Sequence, residues 1–204
     1  LKELKPGITE LNLAQFIKQT CYVHGADDIS FEPIIAFGSH SSMPHHQNTD
    51  RRLKKGDLVL IDMGVKYKGY CSDMTRMAFT TSPTSKQTQI YNLVLKAQEA
   101  GIQAIKPGIS GKTPDAAARK ILKPFEKHFA HSLGHGIGLE VHEPPTLSTR
   151  SKDKLKPGMV VTSEPGLYLP NEFGVRIEDM ILVTASGHQN LTRALKQIGD
   201  CILK

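Results

Sequence analysis

Residues 58–80 read LVLIDMGVKYKGYCSDMTRMAFT, and this stretch decides the fold. Leu58 to Gly64 is a short apolar run with β-branched members, and a second such run follows Lys66-Tyr67-Lys68-Gly69. Strand, tight turn and returning strand is the pattern of a β-hairpin. A turn centred on Tyr67 and Lys68 places Asp62 opposite Asp73, with Cβ atoms about 4.5–5.5 Å apart. The same fold-back recurs where VVTSEPGLYL (160–169) and FGVRIEDMILV (173–183) flank Asn171. Centring that turn on Asn171 places Glu164 opposite Glu178. Two carboxylates held this close repel each other unless one is protonated or a cation bridges them. All four lie in apolar, strand-like settings, where a lone buried charge costs several kcal/mol. Four such acids near one point require a strong positive charge, most simply a pair of divalent metal ions.

The two halves of the chain resemble each other. Leu53 to Gly64 reads LKKGDLVLIDMG and Leu155 to Gly166 reads LKPGMVVTSEPG, so that Asp62 falls on Glu164 half a chain later. LKPGIT at Leu4 and IKPGIS at Ile105 match at nearly the same offset, each ahead of a helix-like stretch. The pattern is a duplicated α-then-β unit rather than a short-period solenoid. It predicts a pseudo-twofold arrangement with the acids at its centre. Helices are expected over Glu10–Tyr22, capped by Thr9, and over Lys86–Ile105. In the second, Ile90, Val94, Ala97, Ile102 and Ile105 make one apolar stripe. A further helix over Asp115–Phe129 should kink or end at Pro124. Ile34–Phe37 reads as a strand, and ILVTASGHQNLT (181–192) as an antiparallel pair around Gly187.

Of the nine histidines, His40, His45 and His46 share one loop. His131, His135 and His142 share the glycine-rich stretch HSLGHGIGLEVHE. Gly134, Gly136 and Gly138 flank His135, so backbone crowding there is small and the imidazole can approach a metal. Four carboxylates and one imidazole form a hard, oxygen-rich donor set that favours manganese, cobalt or zinc. GHGIG lacks the Lys-Ser/Thr of a phosphate loop and does not match GxGxxG.

Composition narrows the class further. The net charge is +6, but Lys and Arg are spread along the chain, aromatic content is 6% and there is no Trp. A basic stripe with stacking aromatics is therefore missing, and nucleic acid is not an expected partner. Cys21, Cys71 and Cys201 are odd in number and form no CxxC pair, which suits a reducing compartment and excludes a cysteine-zinc site. No apolar stretch reaches membrane-spanning length, and no signal-peptide pattern stands at the start. The expected location is the cytoplasm, with no membrane partner.

These motifs carry a resemblance. LIDMGVKYKGYCSDMTR (60–76), HSLGHGIGLEVHEPP (131–145), TSEPGLY (162–168) and GVRIEDMILV (174–183) resemble the pita-bread metallopeptidases, which include methionine aminopeptidase, aminopeptidase P and prolidase. The resemblance covers nearly the whole chain. It implies an α+β pita-bread (creatinase/aminopeptidase) fold, with pseudo-twofold duplicated α-β units around a curved antiparallel sheet. Residues 1–204 would be the catalytic domain, lacking its first helix and a separate N-terminal domain, and the full-length form would be a homo-oligomer, a dimer. By the same resemblance Asp62 chelates one metal, Asp73 and Glu178 bridge both, and His135 and Glu164 bind the second. His142 matches a histidine that contacts substrate or the tetrahedral intermediate.

MPHH (43–46), TDRRLKKGDLVLIDMG (49–64) and GVRIED (174–179) look like the proline-specific branch. Within it His45 and His131 match active-site histidines, Tyr168 the tyrosine after the EPG turn, and Arg176 the arginine before the last acid. Arg150 would anchor the far end of a substrate or lie free on the surface. The implied activity is removal of the N-terminal residue from peptides with proline in second position, a dinuclear Xaa-Pro aminopeptidase reaction using two divalent ions, first of all Mn2+. Glu164 would take or shuttle the proton, and His142 with His131 would donate to the developing oxyanion. Alternatives are an Xaa-Pro dipeptidase (prolidase), a methionine aminopeptidase, or a metal-free peptide-binding module of the same fold.

Overall fold

The structure, a computed structural model, describes residues 3–203. Helix α1 (Glu10–Val23) starts at Thr9, whose hydroxyl oxygen accepts the Asn12 N–H at 3.0 Å. Strands β1 (Asp28–Ile29) and β2 (Ile34–Phe37) follow, then a 3-10 turn over Gly38–Ser42. The predicted hairpin region is β3 (Leu58–Met63), β4 (Val65–Tyr67), β5 (Tyr70–Cys71) and β6 (Met74–Phe79). Helix α2 (Ser85–Gln103) opens on a capping box between Thr84 and Gln87, and the predicted apolar stripe is buried at all five positions. Helix α3 (Lys112–Leu122) gives way to a 3-10 stretch over Lys123–His128 that contains Pro124 and a non-helical Phe125. The remaining strands are β7 (Gly134–Gly136), β8 (Glu143–Leu147), β9 (Val160–Ser163), β10 (Gly166–Leu169), β11 (Phe173–Arg176), β12 (Asp179–Val183) and β13 (His188–Asn190).

The central strand of the first half is β3, between β2 and β6; the central strand of the second is β9, between β7 and β12. All of these pairings are antiparallel. The duplication extends to backbone detail. Gly7 N–H donates to Leu53 O at 3.0 Å and Leu53 N–H to Ile8 O at 2.8 Å. In the second half Gly108 N–H donates to Leu155 O at 2.8 Å and Leu155 N–H to Ile109 O at 2.9 Å. Gly56 and Gly158 both take a left-handed backbone, φ 92° and 91°, which a side chain would resist. The fold is therefore the pita-bread arrangement that the sequence implied.

The register of the first hairpin corrects the sequence reading. Its turn lies on Lys68 and Gly69, one place later than expected, with Tyr67 facing Tyr70. Both turn residues have positive φ, 50° and 82°. A two-residue turn of this hand needs left-handed backbone at both central positions, and Gly69 supplies the easier of the two. Asp62 consequently faces Thr75, and the same register puts Asp73 opposite Gly64. Asp62 and Asp73 are diagonal neighbours, not a facing pair. The second hairpin keeps the expected centre at Asn171, φ 62°. Ser163 pairs with Asp179 and Gly166 with Arg176, so Glu164 does lie opposite Glu178.

The core explains why the acids are costly. Leu58 and Leu60 on β3 pack under α2 and α3 with Met77, Phe79, Ile90, Val94 and Val161, while Val59 on the other face packs with Leu13 and Ile35 beneath α1. Side chains alternate along a strand, so Asp62 continues the face that Leu58 and Leu60 bury. It ends that face at a cleft instead of in the core.

Candidate metal centre

The two units meet where β6 passes β12. Glu178 N–H donates to Thr75 O at 3.2 Å, and Arg76 Nη1 donates to Glu178 O at 2.6 Å. The side chains cross in the same way. Thr75 Oγ1 donates to Glu178 Oε2 at 2.8 Å, and Arg176 Nη2 pairs with Asp62 Oδ2 at 2.6 Å. Asp179 beside them is buried and paired with Arg76 and Lys196, which locks the start of β12.

All five candidate ligands line one cleft of about 680 Å³. Asp73, His135 and Glu178 each offer a donor atom within 4.8 Å of the others. Glu164 Oε1 lies 3.2 Å from His135 Nε2, and Asp73 Oδ2 lies 3.7 Å from it. His135 Nδ1–H donates to Gly136 O at 3.0 Å, so its Nε2 is turned toward the acids. That is the orientation a metal-binding imidazole takes when its other nitrogen is held. Thr162 Oγ1 accepts the His135 N–H at 3.1 Å and donates to Glu164 Oε1 at 3.2 Å, which joins the two.

Without a cation the charges conflict. Burial, then repulsion from Asp62 and Glu164, pushes the Asp73 carboxyl up to about 8. Glu178 is driven well above the usual carboxylate range by burial and by Asp73. Asp62 is raised by burial, although Arg176 opposes the shift. Glu164 goes the other way: burial raises it, but the hydrogen bond from His135 and the neighbouring His131 outweigh that and hold it low. Asp62 Oδ1, Asp73 Oδ1 and Glu178 Oε1 are buried with no hydrogen-bond partner. Orphaned acceptors of this kind are rare in folded proteins. Asp73, His135 and Glu178 therefore offer donor atoms close enough together to fit a divalent cation, and Asp62 and Glu164 line the same cleft.

Residues 1–185 match metallopeptidase family M24. The chain belongs to that family. It is 46% identical over 197 residues to the uncharacterized peptidase YqhT of Bacillus subtilis, covering 96% of this chain and 56% of that protein. Among solved structures it is similar to the prolidase from Pyrococcus furiosus, with TM-score 0.93, 43% identity, and 95% of this chain and 58% of that one covered. The X-Pro aminopeptidase from Thermotoga maritima gives TM-score 0.95 and 36% identity, with 99% and 57% covered. The chain thus spans a little over half the length of these relatives. These structural neighbours include both a prolidase and an X-Pro aminopeptidase.

Of the other candidates, His45, His131, His142 and Arg176 line the same cleft, whereas Tyr168, which is buried, and Arg150 do not. Arg176 is buried and donates from Nη1 to Tyr168 Oη at 2.8 Å, and Tyr168 Oη lies 2.8 Å from His131 Nε2. His131 Nδ1–H donates to Ser132 O at 2.8 Å, so both of its nitrogens are engaged. Burial lowers the His131 pKa and raises that of Tyr168 to about 12, so the pair sits as neutral imidazole and phenol. His142 stacks obliquely on His135, ring centroids 4.2 Å apart. His45 lines the cleft from the loop before β3. Arg150 does not line it. It is exposed, in a smaller recess with Arg119 and Phe129 that meets the cleft at His131 and Ser132.

Thr75 and Thr162, which hold three of the ligands and Arg176, were not picked out from sequence. A threonine inside a strand is ordinary, and only contacts made in the folded chain distinguish these two, Thr75 across the units and Thr162 within the second. The apolar wall of Phe31, Ile34 and Val141 was also missed, because its members come from two distant segments. The glycines around His135 were noticed, but their main reason is strand packing. A Cβ on Gly134 would lie 2.1 Å from Thr162 O, and one on Gly136 2.5 Å from Pro144 O. Among the described residues no helix is long and apolar enough to cross a membrane.

Proposed function

We propose that this chain is the catalytic part of a metal-dependent exopeptidase that releases the N-terminal residue from peptides with proline in second position. The observation that carries this reading is the grouping of Asp73 and Glu178 with His135, beside Asp62 and the Arg176–Tyr168–His131 chain, at one cleft with an apolar wall. Two divalent ions, manganese first, would supply Lewis acidity and a water acidic enough to attack near neutral pH. Glu164, held ionised, takes the proton released in the attack. His142, whose ring nitrogens have no hydrogen bond in the free cleft, donates to the developing oxyanion. His131 keeps Tyr168 in place, and Tyr168 with Arg176 fixes Asp62. Phe31, Ile34 and Val141 suit a pyrrolidine ring, whose amide offers no N–H to a donor-dependent subsite.

A second reading, Xaa-Pro dipeptidase, is favoured by the recess at Arg150 and Arg119. The exposed Arg150 guanidinium would grip the carboxylate of a dipeptide there, while Arg119 is held by Asp115 and His131 O. Incubating the full-length protein with Mn2+ and three substrates separates the readings. Cleavage of a longer Xaa-Pro peptide is the expected result. Cleavage of the Xaa-Pro dipeptide alone supports the dipeptidase, and cleavage of a Met-Ala peptide alone overturns the proline reading.

A further inference from the structure

Among the described residues one other group has the residue types and spacing that could hold a metal ion: Glu10, His40 and His46. Glu10 lies in the first turn of α1 and is fully buried. Its Oε1 accepts the Phe37 N–H at 2.9 Å and faces His40 Nδ1 at 2.9 Å. Its Oε2 faces His46 Nε2 at 2.8 Å and accepts both the backbone N–H of Thr49 at 3.0 Å and its hydroxyl at 2.7 Å. A carboxylate has about four lone-pair sites. Five donors leave none for a cation, so the cluster is a hydrogen-bonded hub and not a second metal site.

The hub holds the chain that carries His45 to the cleft. Phe37, the last residue of β2, and His40, His46 and Thr49 of the connection from β2 to β3 are all tied to Glu10. On the cleft side Pro44 O accepts from Arg176 Nη1 at 3.3 Å, and Ser41 Oγ accepts the Gly174 N–H at 2.8 Å. His45 is exposed and makes no hydrogen bond of its own in the structure, yet the residues on either side of it are pinned, Pro44 to Arg176 and His46 to Glu10. We infer that Glu10 is a positioning residue that acts through His46 to hold the His45 imidazole at the cleft. This inference rests on the reading of the cleft as a peptidase site in which His45 meets the substrate. A displacement of about 1 Å in such a group lowers rates by up to roughly a hundredfold.

A double-mutant cycle in full-length, metal-loaded protein tests it, with kcat/KM on an Xaa-Pro tripeptide as the readout. Glu10→Gln keeps the size of the side chain but turns one acceptor into a donor facing donors, which frees part of the loop. Glu10→Gln should lower kcat/KM roughly ten- to a hundredfold at unchanged metal content. In a His45→Ala background it should cause no further loss. His46→Gln, which keeps a donor for Glu10, should recover most of the activity that His46→Ala loses. In zinc-loaded protein the NMR resonances of the His45 ring should shift or broaden in Glu10→Gln. Additive losses, or unmoved His45 resonances, overturn the inference. Should Glu10→Gln fail to fold, His46→Ala carries the same cycle, because it leaves Glu10 its other donors. An active His45→Ala with unchanged kcat/KM overturns the role of His45 and this inference, but not metal-dependent cleavage. A wild-type protein that cleaves no proline peptide overturns both.

Discussion

Glu164 stands apart from the other acids of the cleft. Burial, with repulsion from neighbouring acids, drives Asp62, Asp73 and Glu178 toward the protonated form, while the hydrogen bond from His135 holds Glu164 low. One site therefore contains acids that need a cation and one that stays ionised without it. Replacing Glu164 by Ala should lower kcat about 10²–10⁴-fold, the usual range for losing a general base. The fold should survive, because Glu164 is partly exposed and its partners His135 and Thr162 keep other hydrogen bonds. Steady-state rates and circular dichroism of the metal-loaded variant check both halves. Normal turnover in a folded, metal-replete Glu164→Ala protein would remove the assignment. The four acids and the imidazole of the cleft could be picked out as candidate ligands from sequence, since acids in apolar strand patterns are conspicuous. Thr75 and Thr162 could not, because nothing local separates a threonine that orients a ligand from one that fills a strand.

At the scale of elements, the site depends on how closely strands approach. Strand β7 lies against β9 only because Gly134 has no side chain to meet Thr162 O. Gly134→Ala should lower the unfolding free energy by about 1–3 kcal/mol, the usual cost of overpacking. It should also weaken metal binding by moving His135. Urea denaturation and a metal titration measure the two effects, and an unchanged midpoint with unchanged affinity would contradict the packing argument. Register is likewise an element-scale property. The second hairpin obeys the pairing expected from its turn residue, whereas the first is displaced one place by the left-handed requirement at Lys68 and Gly69. As a result Asp73 occupies the place in the first unit that Arg176 occupies in the second, and Thr75 the place of Glu178. Only Asp62 and Glu164 are true counterparts, and the two units then exchange contacts, Thr75 with Glu178 and Arg176 with Asp62.

For the whole molecule, the clustered acids couple stability to pH and to metal. A carboxyl whose pKa is raised by folding binds its proton more tightly in the native state than in the unfolded chain. Its contribution to stability is then present below about pH 4, the unfolded value, and is lost as pH rises through the native value. For Asp73 that value is about 8, and Asp62 and Glu178 shift in the same direction. The melting temperature of EDTA-treated protein should therefore fall steadily from about pH 5 to about pH 8.5. Added Mn2+ should restore it, and more strongly at the alkaline end, since metal replaces protons on the ligands. Calorimetry at a series of pH values with and without metal reads this out. A flat profile in EDTA would mean that the acids are not in electrostatic conflict.

The sequence by itself determined the strands, the helices, the duplication and the donor set. These follow from alternation, turn chemistry and residue type, which act over a few neighbours along the chain. Only the tertiary structure decided which side chains meet across the two units. It set the diagonal placement of Asp73, the Arg176–Tyr168–His131 chain, the exclusion of Arg150 from the cleft and the Glu10 hub behind His45. Those contacts join residues far apart in sequence. Their geometry is set by the packing of one unit against the other, for which no local pattern exists.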